Sequence, residues 1–282
     1  MKKLLIACLM LAGMQTVSAQ EASWVPKNLA VGVGVGTTGI VIDASTTIHN
    51  YLGVRFGVDI FPKITVKTEL DLGIDTEGSS IQSLRTQYPS ILGGYDIPDD
   101  VKVEGKWTNT TWHFLVDVYP FGAASSFHAT VGAYFGPKKI VSLYNREPGA
   151  LQIVNDWNNA VLTNSLGTEY MAGVEVGDYF ITPNPAQNGN VEGRIEVAGF
   201  RPYLGIGFGR AVPKNRIGCQ FDMGVEFWGK PDIIAPTYKD GKYTEEKLDK
   251  AKVSGSAGDA IKTLSKISVY PVLNFRLVGR IL

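Results

Sequence analysis

The chain has 282 residues, with 27 Lys+Arg against 27 Asp+Glu and 44% apolar content, which excludes a disordered acidic or basic tail and allows a buried core. The neutral balance gives no electrostatic footprint for a nucleic-acid partner. Only 19% of residues are charged, while 32 Gly with 12 Phe and 12 Tyr point to β-structure with crowded backbones rather than to a helical bundle.

Residues 1–19 have the layout of a secretory leader: Lys2 and Lys3, an apolar run from Leu4 to Ala12, then Val17-Ser18-Ala19 before Gln20. Cleavage before Gln20 is expected, with residues 20–28 as a short periplasmic lead. Leu5-Ile6-Ala7-Cys8 imitates a lipoprotein box, but too few residues precede Cys8 to hold its apolar core. Loss of the leader removes Lys2, Lys3 and Cys8, which turns the balance slightly acidic and leaves Cys219 without an intramolecular partner. No later stretch reaches 18 uninterrupted apolar residues, so any crossing of a membrane has to be made by strands.

From Leu29 to the last residue, hydrophobicity alternates with period two in eight segments. Leu29, Val31, Val33 and Val35 alternate with glycines; Ile40, Ile42 and Ala44 oppose Asp43 and Ser45; Val54, Phe56 and Val58 oppose Arg55 and Asp59. Trp112, Phe114 and Val116 oppose His113 and Asp117, and Ala129, Val131 and Ala133 oppose His128, Thr130 and Tyr134. Further on, Leu204 and Ile206 oppose Arg201, Tyr203 and glycines, and Phe221, Met223 and Val225 oppose Gln220, Asp222 and Glu226. The last segment sets Leu273, Phe275 and Leu277 against Asn274, Arg276 and Arg280, so an anionic and a cationic face are expected to meet.

Connections alternate between short (near 49–51, 121–126 and 212–215) and long (71–106, 144–191 and 230–266), with a tight Thr37-Thr38-Gly39 link as the first outer turn. That asymmetry fits a membrane barrel with periplasmic turns and extracellular loops. Alternation alone leaves open a soluble lipocalin-like barrel with its apolar face inside. The glycines and opposite charges of the polar face instead suit a narrow lumen. The expected fold is therefore all-β, an antiparallel up-and-down transmembrane β-barrel over residues 29–282, with eight strands or, if Thr168–Ile181 adds a hairpin, ten.

Eight strands leave an interior just wide enough for side chains to fill. Asp43, Asp59, Asp117, Asp222 and Glu226 are expected to share it with Arg55, Arg201, Arg276 and Arg280 as a mutually neutralising ion network, joined by the polar side chains of His113, His128, Tyr203 and Asn274. The alternative is a narrow pore for ions or small polar solutes, in which the glycines leave room beside Arg55 and Arg276. The loop from Asp71 to Glu104 is acidic, which suits solvation, cation binding or an external partner. Glu246 and Lys250, spaced i,i+4, make a short exposed helix plausible at Thr244–Lys250.

Motifs for chemistry are absent. Gly34-Val35-Gly36-Thr37-Thr38-Gly39 fits a dinucleotide fingerprint, but Ile40-Val41-Ile42-Asp43 continues as a strand, so no helix N-terminus awaits a pyrophosphate. His49, His113 and His128 are too scattered for a metal site; His113 with Asp117 is the single candidate for a base and its orienter. Neither a catalytic residue, a metal nor a cofactor is expected, and the chain is read as a non-enzyme.

Asp117-Val118-Tyr119-Pro120-Phe121-Gly122, Arg201-Pro202-Tyr203-Leu204-Gly205-Ile206-Gly207-Phe208-Gly209, Phe221-Asp222-Met223-Gly224-Val225 and Tyr270-Pro271-Val272-Leu273 resemble, in this order, blocks of a family of small Gram-negative outer-membrane β-barrel proteins. The chain is more loosely similar to the transmembrane domain of OmpA-type proteins, without their peptidoglycan-binding domain. The resemblance covers about Leu29 to Leu282. It implies fold and location, with outer-membrane lipid and the outer-membrane assembly machinery as partners, and it implies no activity or extracellular ligand. Such barrels usually end in an aromatic residue read by that machinery; here the ending is Arg280-Ile281-Leu282 and the last aromatic is Phe275, which implies a weaker assembly signal.

Overall fold

The computed structural model describes residues 28–74 and 80–282. The expected leader and the lead as far as residue 27 lie outside the described residues. In chain order the strands begin with β1 (Ala30–Gly36), β2 (Gly39–His49), β3 (Leu52–Ile60), β4 (Ile64–Asp71), β5 (Gly73–Ile74) and β6 (Asp100–Trp107). They continue with β7 (Thr110–Val118), β8 (Phe127–Phe135), β9 (Lys139–Asn145), β10 (Ala172–Val176), β11 (Tyr179–Ile181) and β12 (Glu192–Glu196). The last are β13 (Phe200–Phe208), β14 (Ile217–Phe227), β15 (Asp232–Lys239), β16 (Lys242–Lys247) and β17 (Val269–Arg280). Among the described residues three α-helices, α1 (Ile81–Gln87), α2 (Gln152–Thr163) and α3 (Gly255–Leu264), lie between strands.

The fold is all-β and antiparallel. Strands β1, β17, β14, β13, β8, β7, β3 and β2 pair in that order, and β2 returns to β1 to close an eight-stranded barrel. Period two carries through the barrel pairings, apart from a register shift between Thr47 and His49 on β2. Leu204 faces Val131 on one side and Val225 on the other, and Phe221 faces Phe275, so apolar side chains share the outer surface. The intervening residues, such as Asp222 opposite Asn274 and Gln220 opposite Arg276, share the inner one. Leu29–Ile48 is split by a tight turn whose Thr37 Oγ1 donates to Pro271 O (2.9 Å) and whose Thr37 O accepts from Tyr270 Oη (2.6 Å).

The long connections differ from plain loops. Strands β4, β6, β9, β12 and β15 continue β3, β7, β8, β13 and β14 beyond one end of the barrel within a few residues, and build a second, nearly closed sheet completed by β11, β10 and β5. The hairpin anticipated at Thr168–Ile181 exists as β10–β11, but it belongs to this second sheet, and the barrel keeps eight strands. The anticipated helix at Thr244–Lys250 is instead β16, where Glu246 lies across from Ala235 and its carboxylate takes a 3.1 Å bond from Lys239 Nζ. A cross-strand ion pair with an established partner outweighs an i,i+4 pair on an isolated turn.

Apolar burial is concentrated in the second sheet, around the fully buried Leu92, Val154, Trp157 and Val161. Helix α2 inserts Trp157, whose Nε1 donates to Tyr170 O at 2.8 Å. Buried Asn158 donates to Ala172 O and Thr182 Oγ1 and accepts from Ala172 N, so its burial leaves no polar group stranded. An aromatic collar joins the two parts: Phe61 stacks on Trp107 at 5.3 Å, and Tyr270 lies 4.9 Å from Trp228.

Candidate functional site in the barrel lumen

The barrel wall is inverted relative to a water-soluble fold. Val35 is 62% and Leu204 56% exposed on the outside, whereas Asp59, Asp117 and Arg201 are fully buried inside. This overturns the lipocalin-like alternative, which needs an apolar interior. The apolar band is continuous around the barrel, with Phe56, Trp112, Phe114, Val131, Met223 and Leu277 all outward.

Arg55 occupies the middle of the lumen. Its Nη2 donates to Asp117 Oδ1 (2.6 Å) and to Asp222 Oδ1 (3.0 Å), and its Nη1 donates to Asp222 Oδ2 (3.0 Å). Thr130 Oγ1 adds a 2.8 Å bond to Asp117. Arg276 forms a second node, donating to Asp43 and to Gln220, with its Nε 3.7 Å from Asp222. Two arginines and three carboxylates thus interlock, and charge-assisted bonds of this kind are the strong ones.

The histidines extend the network. His128 Nε2 lies 2.9 Å from Asp222 Oδ1, and Gln220 Nε2 is 3.1 Å from the same nitrogen. His113 bonds Asp59 through Nδ1 at 2.5 Å, not Asp117, because β7 pairs with β3 and sets the ring beside that strand's inward carboxylate. Asp59 also accepts from Thr38 Oγ1 at 2.7 Å, and Thr38 reaches Asn274 at 3.1 Å. Tyr203 is buried against Tyr134, with ring centroids 5.4 Å apart.

Two arginines stand apart from this centre. Arg201, at the outer end of β13, donates to Asn109 Oδ1, Ala198 O and Pro137 O, and lies 3.9 Å from Glu226. Among the described residues neither Glu226 oxygen has a hydrogen-bond partner. Arg280 is a correction to the expected lumen set: strand parity turns it inward, but it is the last residue of β17, paired with Ala30 at the rim, and is exposed, with Nε donating to Leu282 O at 2.9 Å.

The glycines do not hold empty space open. A Cβ on Gly34 would fall 2.6 Å from Arg276 Cγ, one on Gly207 2.6 Å from His128 Nε2, and one on Gly224 2.6 Å from Tyr203 Oη. Each missing side chain is replaced by a large polar one reaching over it, so the room expected beside Arg276 is occupied. Asp117, His128 and Asp222 place ligand atoms within 4.8 Å of one another, a spacing suited to an ion. The Arg55 guanidinium already bonds both carboxylates and supplies the positive charge there.

Gln220, Thr130, Thr38 and Tyr134 take part in the lumen but are not among the expected site residues. Strand parity is the available signal for Gln220, which alternates with Asp222 and Glu226 on β14.

Comparison with known protein families finds no match, and no curated protein matches. Among solved structures, the chain is similar to CarO of Acinetobacter baumannii (TM-score 0.42, 14% identity, covering 92% of this chain and 99% of that one). It is also similar to CarO2 of the same organism (0.43, 14%, 90% and 98%) and to a major outer membrane protein of Thermus thermophilus (0.36, 15%, 90% and 98%). At such identity and superposition, no residue role or activity transfers.

Proposed function

We propose that the chain is a non-enzymatic outer-membrane β-barrel whose lumen is closed by a charge network and whose role is structural or surface-interacting, through the folded domain built on its outer end. The observation that carries this reading is the inverted wall: a belt of apolar side chains faces outward while arginines, carboxylates and histidines are buried within. In water such a belt is an aggregation surface; in a bilayer it is the required face of a spanning barrel. The leader-like residues 1–19 and the short-turn, long-connection asymmetry support export to the outer membrane of a Gram-negative bacterium.

The closed lumen is supported by Arg55, whose bonds run from β3 to Asp222 on β14. Purified protein reconstituted in a planar lipid bilayer is expected to show little steady conductance. A large, stable open channel would remove the plugged reading, and a small conductance altered by Arg276→Ala would favour the narrow pore instead. Recovery of the protein in the soluble fraction without detergent would remove the membrane reading altogether.

A further inference from the structure

The second sheet contains a space that its own core does not fill. Between its core-facing side and α3 lies a cavity of about 380 Å³, bordered by Val103, Leu143, Ile195 and Ile233 from the sheet and by Ile261 and Leu264 from the helix. Of the lining residues only Thr68 and Glu69 carry polar side chains, and both are on β4, separated from β15 by three strands. The opposite face of α3 is polar, with Lys262 Nζ 3.5 Å from Asp259 Oδ1. Leu264 nevertheless stays 39% exposed, more than a helix face packed on a filled interior would allow. Protein interiors leave few voids larger than a water molecule, and an apolar one of this size is suited to an apolar guest.

A second hollow, of about 410 Å³, shares the lining residue Leu248 with this cavity, and the consecutive residues Leu264 and Ser265 at the end of α3 line the one and the other. Its chemistry is different. Lys230, Lys247 and Lys250 line it with Asp232 and Asp249. Lys247 is paired with Asp232 at 2.7 Å, while Lys230 and Lys250 have no carboxylate partner among the described residues. With Asp249 beside the two unpaired lysines, an aliphatic cavity thus adjoins a rim with one net positive charge.

We propose that cavity and hollow form one binding site for a single-chain amphiphile with an anionic head, its alkyl chain among Leu143, Ile233 and Ile261 and its head at Lys230 and Lys250. At ~30 Å³ for each water-sized group, the cavity takes a chain of roughly ten to twelve carbons. This goes beyond the barrel reading and does not depend on whether the lumen conducts. A free fatty acid and an acidic lysophospholipid present the same chemistry, one alkyl chain with an anionic head.

The test is photolabelling of the full chain in lipid nanodiscs with dodecanoate carrying a terminal diazirine, with the matching dodecanol as comparison, and mapping of adducts by mass spectrometry. Adducts are expected at residues bordering the cavity, with dodecanoate labelling at lower concentration than dodecanol. Gly193→Leu fills the cavity from β12, where a Cβ meets only ordinary contacts (Ile234 O at 3.4 Å, Leu143 Cβ at 3.6 Å), and is expected to reduce labelling about tenfold. Ala260→Phe, at the solvent-exposed lip of the cavity on α3, is the second filling variant should the first perturb the sheet. Lys230→Glu with Lys250→Glu is expected to weaken dodecanoate about tenfold and leave dodecanol unchanged. Adducts confined to the outward barrel belt, labelling unaffected by both filling variants, or acid and alcohol equally insensitive to the lysine changes would each overturn the proposal. The same probe bearing an anionic phosphoglycerol head separates the two sources, since preferential labelling by the carboxylate supports a free acid and preferential labelling by the phosphoglycerol form supports an anionic lysolipid.

Discussion

Arg55 on β3 bonds Asp222 on β14 through both terminal nitrogens at 3.0 Å, joining strands that lie four steps apart whichever way the eight-stranded barrel is followed. The contact spans opposite walls, and the same guanidinium also holds Asp117 at 2.6 Å. Arg55→Leu leaves both carboxylates buried without it and is expected to cost about 3 to 5 kcal/mol. Arg55→Leu combined with Asp222→Leu replaces the pair by apolar groups and is expected to recover part of that loss. Urea titration of the folded protein, read by the gel mobility of unheated sample, measures both; an unchanged midpoint in the single variant would show that the bridge does not hold the barrel.

Leu204 distinguishes lipid from water on the outer face. It lies in the middle of β13 between Val131 and Val225 and is 56% exposed. An exposed leucine on a water-facing strand tolerates Arg within about 0.5 kcal/mol. At the midplane of a bilayer, Leu204→Arg is expected to cost about 2 to 4 kcal/mol. Folding into phosphatidylcholine vesicles as a function of urea reads the difference, and a wild-type curve for this variant would contradict the bilayer setting.

Which parts of this architecture the sequence displays follows from the range of the forces involved. Alternation along each barrel strand is local and survives in the residue order, so the eight segments, their inward charges and the short turns are all readable from it. Partner choice is not local. His113 meets Asp59 rather than Asp117 because β7 lies beside β3, a fact of barrel order that no spacing on β7 encodes. Arg280 obeys parity but lies at the open rim, the last residue of its strand, since alternation gives a direction and not a depth. The second sheet is hidden for a further reason. Its strands are short, β5 has only Gly73 and Ile74, and all of β4 except Leu70 is exposed, so hydrophobic period two is too weak there to stand out from loop sequence. Its core depends on Trp157 from a helix within what reads as a connection.

Gly57 tests whether the glycines are places of close approach. A Cβ there would collide with Asp43 Cβ and with Ile42 O on the neighbouring strand. Gly57→Val therefore has to displace Asp43 and with it the Arg276 contact, and is expected to cost about 1 to 3 kcal/mol. Gly73→Ala in the second sheet, where an added Cβ meets nothing within 4 Å, is expected to be close to neutral. Thermal conversion of the compact gel form compares the two; equal effects would show that lumen crowding does not select glycine at position 57.

Trp157 separates the two parts of the molecule. It is fully buried among the apolar residues of the second sheet, and Tyr95 packs an edge against its ring at 6.4 Å. The lumen, by contrast, is held by ion pairs and hydrogen bonds between barrel strands, and Tyr270 is the described residue that packs against both the outer core and the Leu115, Tyr134, Tyr203 and Val272 cluster inside the barrel. Trp157→Ala is expected to cost the outer core about 3 to 5 kcal/mol. Because little packing connects that core to the lumen, the loss should remain local: limited proteolysis is expected to cut within residues 144–191, while the remaining barrel still migrates as a compact form until heated. If the variant instead loses its heat-dependent mobility shift at the same temperature at which its outer domain opens, the two parts fold as a single cooperative unit and the barrel relies on the domain above it.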